Sequence, residues 1–268
     1  MQLKDGEAEV FGTSLMLEEN VKISGQKIAI FSWQGCKLEV VGTPDVVYVA
    51  EETPMAQYVN VHDVLHAKRE AASTTDAQPP RVMIVGPTDS GKSTLCKILL
   101  NYAVRAGKAP VFADVDIGQG SLTVPGCIAA CAVENPVDIE EGGYPGEPPL
   151  VFYYGSCSPS ENPSLYKHCV ERLAGVLNDR CNKDRTAKAA GMIANSMGWV
   201  EGLGYDLLLH SIHTLGINII LVVGQDRLHS QMKASLENEK GTCIQILLNV
   251  KFHRCEITLM FETTVVQM

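Results

Sequence analysis

The sequence predicts an α/β protein in which a domain built on a parallel sheet is preceded by a small all-β domain. Before residue 64, short β-branched or alternating runs are separated by glycine or proline about every ten residues, as in a small sandwich or barrel. After residue 81, short apolar runs alternate with stretches of helical spacing. That alternation is typical of a parallel sheet covered on both faces.

The N-terminal β domain is assigned to residues 1–64. Its predicted strands are short and occupy residues 10–11, 22–23, 27–33, 37–41 and 46–49. Residues 65–80 are assigned to a linker, because a short helix over 63–72 is followed by a polar, small-residue stretch that ends in Pro79 and Pro80.

The second domain is assigned to residues 81–240. Strands are predicted at 82–85, 110–115, 150–154, 191–194 and 217–223, and helices at 93–107, 164–180 and 205–215.

The first strand of this domain runs into a Walker A pattern, Gly-x-x-x-x-Gly-Lys-Ser, at residues 86–93. Its glycines let the backbone curl, so that N–H groups and the positive end of the next helix can hold phosphates. Lys92 is expected to reach the β- and γ-phosphates, and the Ser93 hydroxyl to bind Mg²⁺. Asp89 and Thr94 are expected to line the same site. Strand, loop and helix together predict a P-loop domain that binds a nucleoside triphosphate.

A second acidic element follows one helix later, where an apolar strand ends in Asp114 and Asp116. Residues two apart on a strand point to one face. In open α/β sheets, carboxylates at the carboxyl ends of neighbouring strands lie beside the bound phosphates. Either carboxylate could hold Mg²⁺ through water or accept a proton from an attacking hydroxyl.

The run 194–200 places a hydroxyl, a glycine and a tryptophan just after a predicted strand, as Ser196, Gly198 and Trp199. Trp199 could stack a nucleobase, although a lone tryptophan is also commonly a partly buried core residue. No guanine-reading Asn-Lys-x-Asp follows the strand 217–223, so ATP is the expected nucleotide.

Composition narrows the function classes further. The net charge of −9 argues against a broad basic face that coats nucleic acid. Nine cysteines without any Cys-x-x-Cys favour reduced thiols over a zinc site. The longest apolar run, 219–223, is far shorter than the ~20 residues that span a membrane. The start of the chain also lacks a secretory pattern, so no membrane partner and a cytosolic or nuclear location are expected.

Several segments resemble the Clp-type polyribonucleotide 5′-hydroxyl kinases, the kinase-like subunit of the nuclear mRNA 3′-end cleavage factor. The similarity extends from about residue 3 to about residue 236. It rests on the segments 8–13, 30–36, 82–93, 100–105, Asp116-Ile117-Gly118-Gln119-Gly120-Ser121 and Gly198-Trp199-Val200.

The resemblance implies a P-loop kinase domain between a small β domain and a C-terminal β domain. It implies that ATP contacts Lys27, Gly86, Asp89, Ser90, Gly91, Lys92, Ser93 and Thr94. Asp116 would be the general base, with Lys92 and Ser93 completing the catalytic set. Mg²⁺ would lie at Ser93, Asp114 and Asp116. The 5′ end of a single-stranded RNA would contact Gln119, Ser196, Gly198 and Trp199, the last by stacking on the terminal base.

The sequence departs from the family plan at both ends. The family's first strand is not found, nor is the Arg-rich lid expected after about residue 236, and residues 241–268 are assigned to a remnant of the C-terminal β domain. Three hypotheses stay open. The first is a nuclear RNA 5′-hydroxyl kinase acting in pre-mRNA 3′-end cleavage and polyadenylation. The second is a catalytically weak, ATP-holding scaffold bound to other cleavage factor subunits. The third is an ATPase switch stimulated by a partner.

Overall fold

The computed structural model of the chain describes residues 1–50, 52–236, 245–250 and 264–267. Two three-stranded antiparallel sheets make up its N-terminal part. One consists of β1 (Gln2–Gly6), β5 (Cys36–Val40) and β13 (Thr264–Gln267), in that order, and the other of β3 (Thr13–Ser14), β2 (Glu9–Val10) and β4 (Ile30–Phe31). Both sheets contribute to one apolar cluster, which includes Leu3, Val10, Ile30 and Leu38.

The predicted all-β start of the chain is confirmed, but its strands are only partly those expected. Strands β2, β4 and β5 lie within or overlap the predicted runs 10–11, 27–33 and 37–41. The strands predicted at 22–23 and 46–49 are wrong. Val46 and Val49 are about half exposed, at 50% and 58%, and they do not lie in a sheet that could bury them. Strand β1 escaped prediction because its sequence is mostly polar and only Leu3 is buried.

Helix α1 (Met55–Thr74) occupies much of the segment assigned to a linker. Its buried residues recur at helical spacing and pack against the helices α2 (Lys92–Arg105) and α4 (Arg185–Ala190). Residues 65–74 of the assigned linker are therefore helical, and only 75–80 connect the two domains.

A seven-stranded sheet forms the second domain. Its order is β12 (Gln245–Val250), β11 (Ile219–Val223), β6 (Arg81–Val85), β10 (Met192–Asn195), β7 (Val111–Asp114), β8 (Cys127–Ala132) and β9 (Leu150–Tyr153). The first five strands are parallel, whereas β8 and β9 are antiparallel to their neighbours. The predicted parallel sheet is thus confirmed for most of its width, and the antiparallel edge was not foreseen.

Helices cover both faces of this sheet, as predicted. Helices α1 and α2 pack on one face in a cluster with Leu95, Leu99 and Ile193. The opposite face is covered by α3 (Pro163–Lys183), α5 (Leu203–Thr214) and α6 (Asp226–Leu236). None of the helices described here is long and apolar enough to cross a bilayer.

The described parts of residues 241–268 join the two sheets already present. Strand β12 pairs in parallel with β11, and β13 pairs with β5. The assignment of this segment to a separate C-terminal domain is therefore corrected for residues 245–250 and 264–267. The remaining residues after 236, where the Arg-rich lid was sought, lie outside the described residues.

Helix α2 joins the two domains. The Asn101 amide donates to Phe11 O at 2.8 Å, and Arg105 Nη1 donates to Glu9 Oε2 at 2.8 Å. The Tyr102 phenol donates to the other oxygen of the buried Glu9 carboxylate. Burial, reinforced by Glu9, raises the pKa of Tyr102, so the phenol stays protonated and can donate. The N-terminal domain is thereby held on the helix that begins at the phosphate loop.

Candidate functional site

The phosphate loop connects β6 to the first residue of α2, Lys92. Asp89 and Gly91 both have left-handed backbone, with φ of 59° and 87°, and Gly91 is the N-cap of α2. A Cβ on Gly86 would lie 2.5 Å from Val223 O and 2.7 Å from Ser90 Oγ. Only glycine fits there, because the loop passes so close to the end of the neighbouring strand β11.

Lys92 is buried at the base of this loop, where its Nζ donates to Pro87 O at 2.9 Å. Burial lowers the pKa of Lys92, and the nearby carboxylates, with Asp116 the strongest, oppose that effect. A cation held among carboxylates and the loop backbone is suited to bind phosphate oxygens that replace its bond to Pro87.

Among the buried polar atoms without a hydrogen-bond partner in the described part of the chain are Ser90 Oγ, in the loop, and Asn195 Oδ1, beside Asp114. Unpaired buried polar atoms are rare in native proteins, and at a phosphate loop they are what a ligand would satisfy.

Asp114, at the end of β7, is fully engaged by the protein. Its Oδ2 accepts from Ser121 N at 2.6 Å and Ser121 Oγ at 2.8 Å, and its Oδ1 accepts from Asn195 Nδ2 at 3.1 Å and Asp116 N at 3.2 Å. Burial raises the pKa of Asp114, although these hydrogen bonds counteract the shift. The arrangement suits a residue that shapes the site more than one that binds Mg²⁺ directly.

Asp116 is held differently. Its Oδ1 accepts from Gly118 N at 3.0 Å and Gln119 N at 3.1 Å, while Oδ2 takes no part in these bonds. The carboxylate lines the large cavity described next. Asp116 is therefore fixed by one oxygen and can use the other.

A cavity of about 830 Å³ lies between the N-terminal domain and the phosphate loop. Lys27 lines it from the N-terminal side. The loop side is lined by Asp89, Ser90, Gly91, Lys92, Ser93 and Thr94, and Asp116 and Gln119 also line the cavity. The structure thus brings Lys27, most of the predicted ATP residues and the predicted base together around one space. The size fits a nucleotide, since small-molecule sites are usually about 300–1,000 Å³.

Trp199 lies outside this cavity, on the loop after β10, and is 39% exposed. The loop is packed tightly on the phosphate loop: a Cβ on Gly198 would lie 2.3 Å from Thr88 Oγ1 and 2.7 Å from Thr88 N. Gly204 is likewise in close contact with the Trp199 ring. Trp199 is therefore an exposed, fixed aromatic surface beside the phosphate loop.

Ser196 is placed differently from the prediction. It is fully buried, and its hydroxyl donates to Ile84 O at 2.8 Å. The hydroxyl ties the loop after β10 to the strand β6, so we correct its role from RNA contact to support of the loop.

The structure also corrects the position of the acidic strand. Strand β7 is not the neighbour of β6, because β10 lies between them. Asn195, at the end of β10, bridges the gap by its bond to Asp114. Sequence reasoning missed Asn195, although a polar amide directly after an apolar strand was a usable signal.

Two protein-family models match parts of this chain. A family model described as the N-terminal beta-sandwich domain of polyadenylation factor matches residues 1–72, and one described as mRNA cleavage and polyadenylation factor CLP1 P-loop matches residues 86–254. The polyribonucleotide 5′-hydroxyl-kinase Clp1 of Gallus gallus is 44% identical over 237 residues, which are 88% of this chain and 56% of that protein. The protein of the same name from Homo sapiens is 42% identical, with the same coverage.

A plant protein and a solved structure also match most of the chain. A CLP1 homolog of Arabidopsis thaliana is 44% identical over 261 residues, 95% of this chain and 57% of that protein. The chain thus spans little more than half the length of the curated relatives it matches. A solved structure described as an extended interface between Pcf11p and Clp1p, with the structural basis for ATP loss in a point mutant, superposes with a TM-score of 0.80. It is 24% identical, and the match covers 94% of this chain and 63% of that one, which establishes the shared fold.

Proposed function

This chain belongs to the Clp1 family, and from that premise we propose that it is an ATP-binding kinase that phosphorylates the 5′-hydroxyl of RNA. One observation carries the proposal: a single cavity holds the phosphate loop, Lys92 and the available oxygen of Asp116. A triphosphate donor and a hydroxyl acceptor would therefore meet in one space.

In the proposed reaction, the RNA 5′-oxygen attacks the γ-phosphorus of ATP. A new P–O bond forms, the bond from the γ-phosphorus to the β–γ bridging oxygen breaks, and ADP leaves with that electron pair. Asp116 Oδ2 accepts the hydroxyl proton while Oδ1 keeps its bonds to Gly118 N and Gln119 N. Lys92 leaves Pro87 O and neutralises charge on the transferred group.

The residues present fit Mg²⁺, which prefers oxygen ligands and bridges phosphates to one or two protein groups. Ser93 in the first turn of α2 would hold it directly, and Asp116, whose Oδ2 is needed for the hydroxyl proton, would hold it through a water molecule. Asp114, whose oxygens already accept four hydrogen bonds, would stand behind them. When bound, the ion would draw charge from the phosphoryl oxygens. The unpaired Ser90 Oγ and Asn195 Oδ1 support a ligand here.

Acceptor recognition is proposed on the other side of the phosphate loop. Trp199 would stack the 5′-terminal base, contributing about 1–3 kcal/mol. Gly198 would set the distance between the Trp199 loop and Thr88. The exposed Gln119, which lines the cavity, would contact the same RNA end. Ser196 supports this loop from within.

The test is transfer of labelled γ-phosphate from ATP to a single-stranded RNA with a 5′-hydroxyl. Lys92→Ala and Asp116→Asn should each reduce kcat about 10²-fold or more. Lys97→Ala is the matched control, a lysine on the same helix that bonds Gly142 O and does not line the cavity. Unreduced transfer by Lys92→Ala would refute the proposed site.

A second candidate function is an ATP-holding scaffold in the mRNA 3′-end cleavage machinery. This function is favoured because residues of both domains line the cavity. ATP that contacts both Lys27 and the phosphate loop would stabilise the arrangement of the two domains. Subunits of the cleavage factor would be its partners, and a nuclear location is proposed for either function. ATP-dependent partner binding without any phosphate transfer would select the scaffold. Imaging of the tagged chain in cells would test the location.

A further inference from the structure

Asn195 ends the strand β10, between the phosphate-loop strand β6 and the acidic strand β7. Its register partners are Ile84 on one side and Asp114 on the other. Side chains two apart on a strand share a face, and Ile193 belongs to the apolar cluster under α2. The Asn195 side chain therefore lies on the face covered by the helix that begins at Lys92.

The hydrogen bonds of Asn195 are incomplete. The side chain is fully buried and its Nδ2 donates to Asp114 Oδ1 at 3.1 Å, but its Oδ1 has no partner among the described residues. The Asn195 amide lies against Asp114, which also accepts from the backbone N–H of the cavity-lining Asp116, so the side chain belongs to the polar cluster beside the cavity. A buried acceptor without a donor is unfavourable, and in a native site it calls for a bound donor.

Asn101 provides the contrast. It is also fully buried, but its Nδ2 donates to Phe11 O and its Oδ1 accepts from Val137 N at 2.9 Å. An asparagine with a purely structural role in this chain therefore has both amide atoms satisfied. Asn195 has only its donor satisfied, which leaves the acceptor for something that the protein itself does not supply.

We propose that Asn195 is a positioning residue, whose Oδ1 accepts a hydrogen bond from a water molecule bound to the Mg²⁺ of the nucleotide. The inference rests on the proposed ATP site. Mg²⁺ keeps several waters in such sites, and their protons are strong donors. Through Nδ2, Asn195 at the same time holds Asp114, the neighbour of Asp116. One side chain would thus link the metal's water shell to the acidic strand.

The measurement is ATP affinity by titration calorimetry, with Mg²⁺ and again with EDTA, on the full chain. The ratio of the two affinities is the Mg²⁺-linked gain. Asn195→Leu removes the acceptor at similar volume and leaves Asp114 three of its four donors. Asn195→Asp keeps an acceptor and adds a negative charge. Asn101→Leu is the matched control, and the melting temperature without ligand is recorded for every variant.

We expect Asn195→Leu to reduce the Mg²⁺-linked gain about tenfold or more, as is usual for groups behind the metal ligands, with affinity in EDTA unchanged. Asn195→Asp should bind ATP more weakly in EDTA and retain the gain. Asn101→Leu should lower the melting temperature and leave the gain intact.

An undiminished Mg²⁺-linked gain in Asn195→Leu would overturn the inference. An equal loss of affinity with and without Mg²⁺ would also overturn it, because the residue would then act on the loop alone. If Asn195→Leu fails to fold, Asn195→Asp decides, since loss of the gain there contradicts the proposal. A parent chain that binds no ATP in either condition would instead refute the proposed function, and this inference with it.

Discussion

Replacement of Gly198 by alanine should weaken ATP binding, although this residue does not line the cavity proposed for ATP. The new Cβ would lie 2.3 Å from Thr88 Oγ1 and 2.7 Å from Thr88 N. Ordinary contact begins near 3.4 Å, so the side-chain oxygen would have to retreat by about 1 Å (3.4 − 2.3). The hydroxyl can rotate away, but the amide belongs to the phosphate loop and can retreat only if the loop moves.

The magnitude follows from that movement. Overpacking of this kind costs about 1–3 kcal/mol. Without ligand, the loop can relieve the strain by shifting. Binding ATP requires the original loop, so the cost returns on binding and the affinity falls roughly 5- to 150-fold.

Titration calorimetry with Mg²⁺ and ATP measures this effect, and thermal melting without ligand accompanies it. Gly175→Ala is the control, because Gly175 lies inside α3 and a Cβ there meets no atom within 4 Å. It should leave ATP binding unchanged and stabilise the chain slightly, as alanine does in a helix. Parental ATP affinity in Gly198→Ala, with or without a lower melting temperature, would refute the idea that the loop after β10 sets the shape of the phosphate loop.

Two further predictions concern the loop after β10 and a partly buried histidine of α1. Trp199→Ala should raise the KM for RNA roughly 5- to 150-fold, because about 1–3 kcal/mol of stacking is lost. Ser196→Ala should instead lower the melting temperature and leave the KM for RNA unchanged. Steady-state kinetics with a single-stranded RNA distinguishes the two variants, and a raised KM in Ser196→Ala would restore the RNA-contact role of Ser196. Burial lowers the pKa of His62 to about 4, with positive Arg69 nearby as the next cause. Because the unfolded chain binds this proton below about pH 6.5 and the folded chain does not, stability should fall as the pH drops from 6.5 towards 4. His62→Gln should flatten that part of the melting profile, and an unchanged slope would show that His62 does not cause it.

The sequence was most informative where a backbone pattern is coupled to chemistry. The Walker A pattern fixed the strand β6, the loop and the helix α2 together, because phosphate binding demands all three. Strand β1 was missed since its pairing with β5 is a long-range contact and its residues are polar. The helix at 65–74 was predicted in part, as 63–72, but it was assigned to a linker because the Asp-Ala-Gln-Pro-Pro stretch that follows it dominated the local composition.

The site residues also divide into those that local patterns predict and those whose placement depends on the order of the strands. Asp116 and Lys92, which both line the cavity, could be predicted as site residues from residue type and position after a strand, and their roles stay predictions. The burial of Ser196 and the insertion of β10 between β6 and β7 depend on strand order, which local patterns do not specify. Asn195 became informative only when its two amide atoms could be told apart by their partners.

The contacts of α2 explain why a β domain precedes the phosphate loop at all. None of residues 100–105 lines the cavity, yet this segment carries Asn101, Tyr102 and Arg105, which hold Phe11 and Glu9. These bonds orient the β domain so that Lys27 faces the loop across the cavity. In the proposed function, the same helix would therefore bind phosphate at its first turn and set the opposite wall of the site from its last. A nucleotide that touches both walls is coupled to the domain arrangement through α2, whether the chain turns ATP over or only holds it.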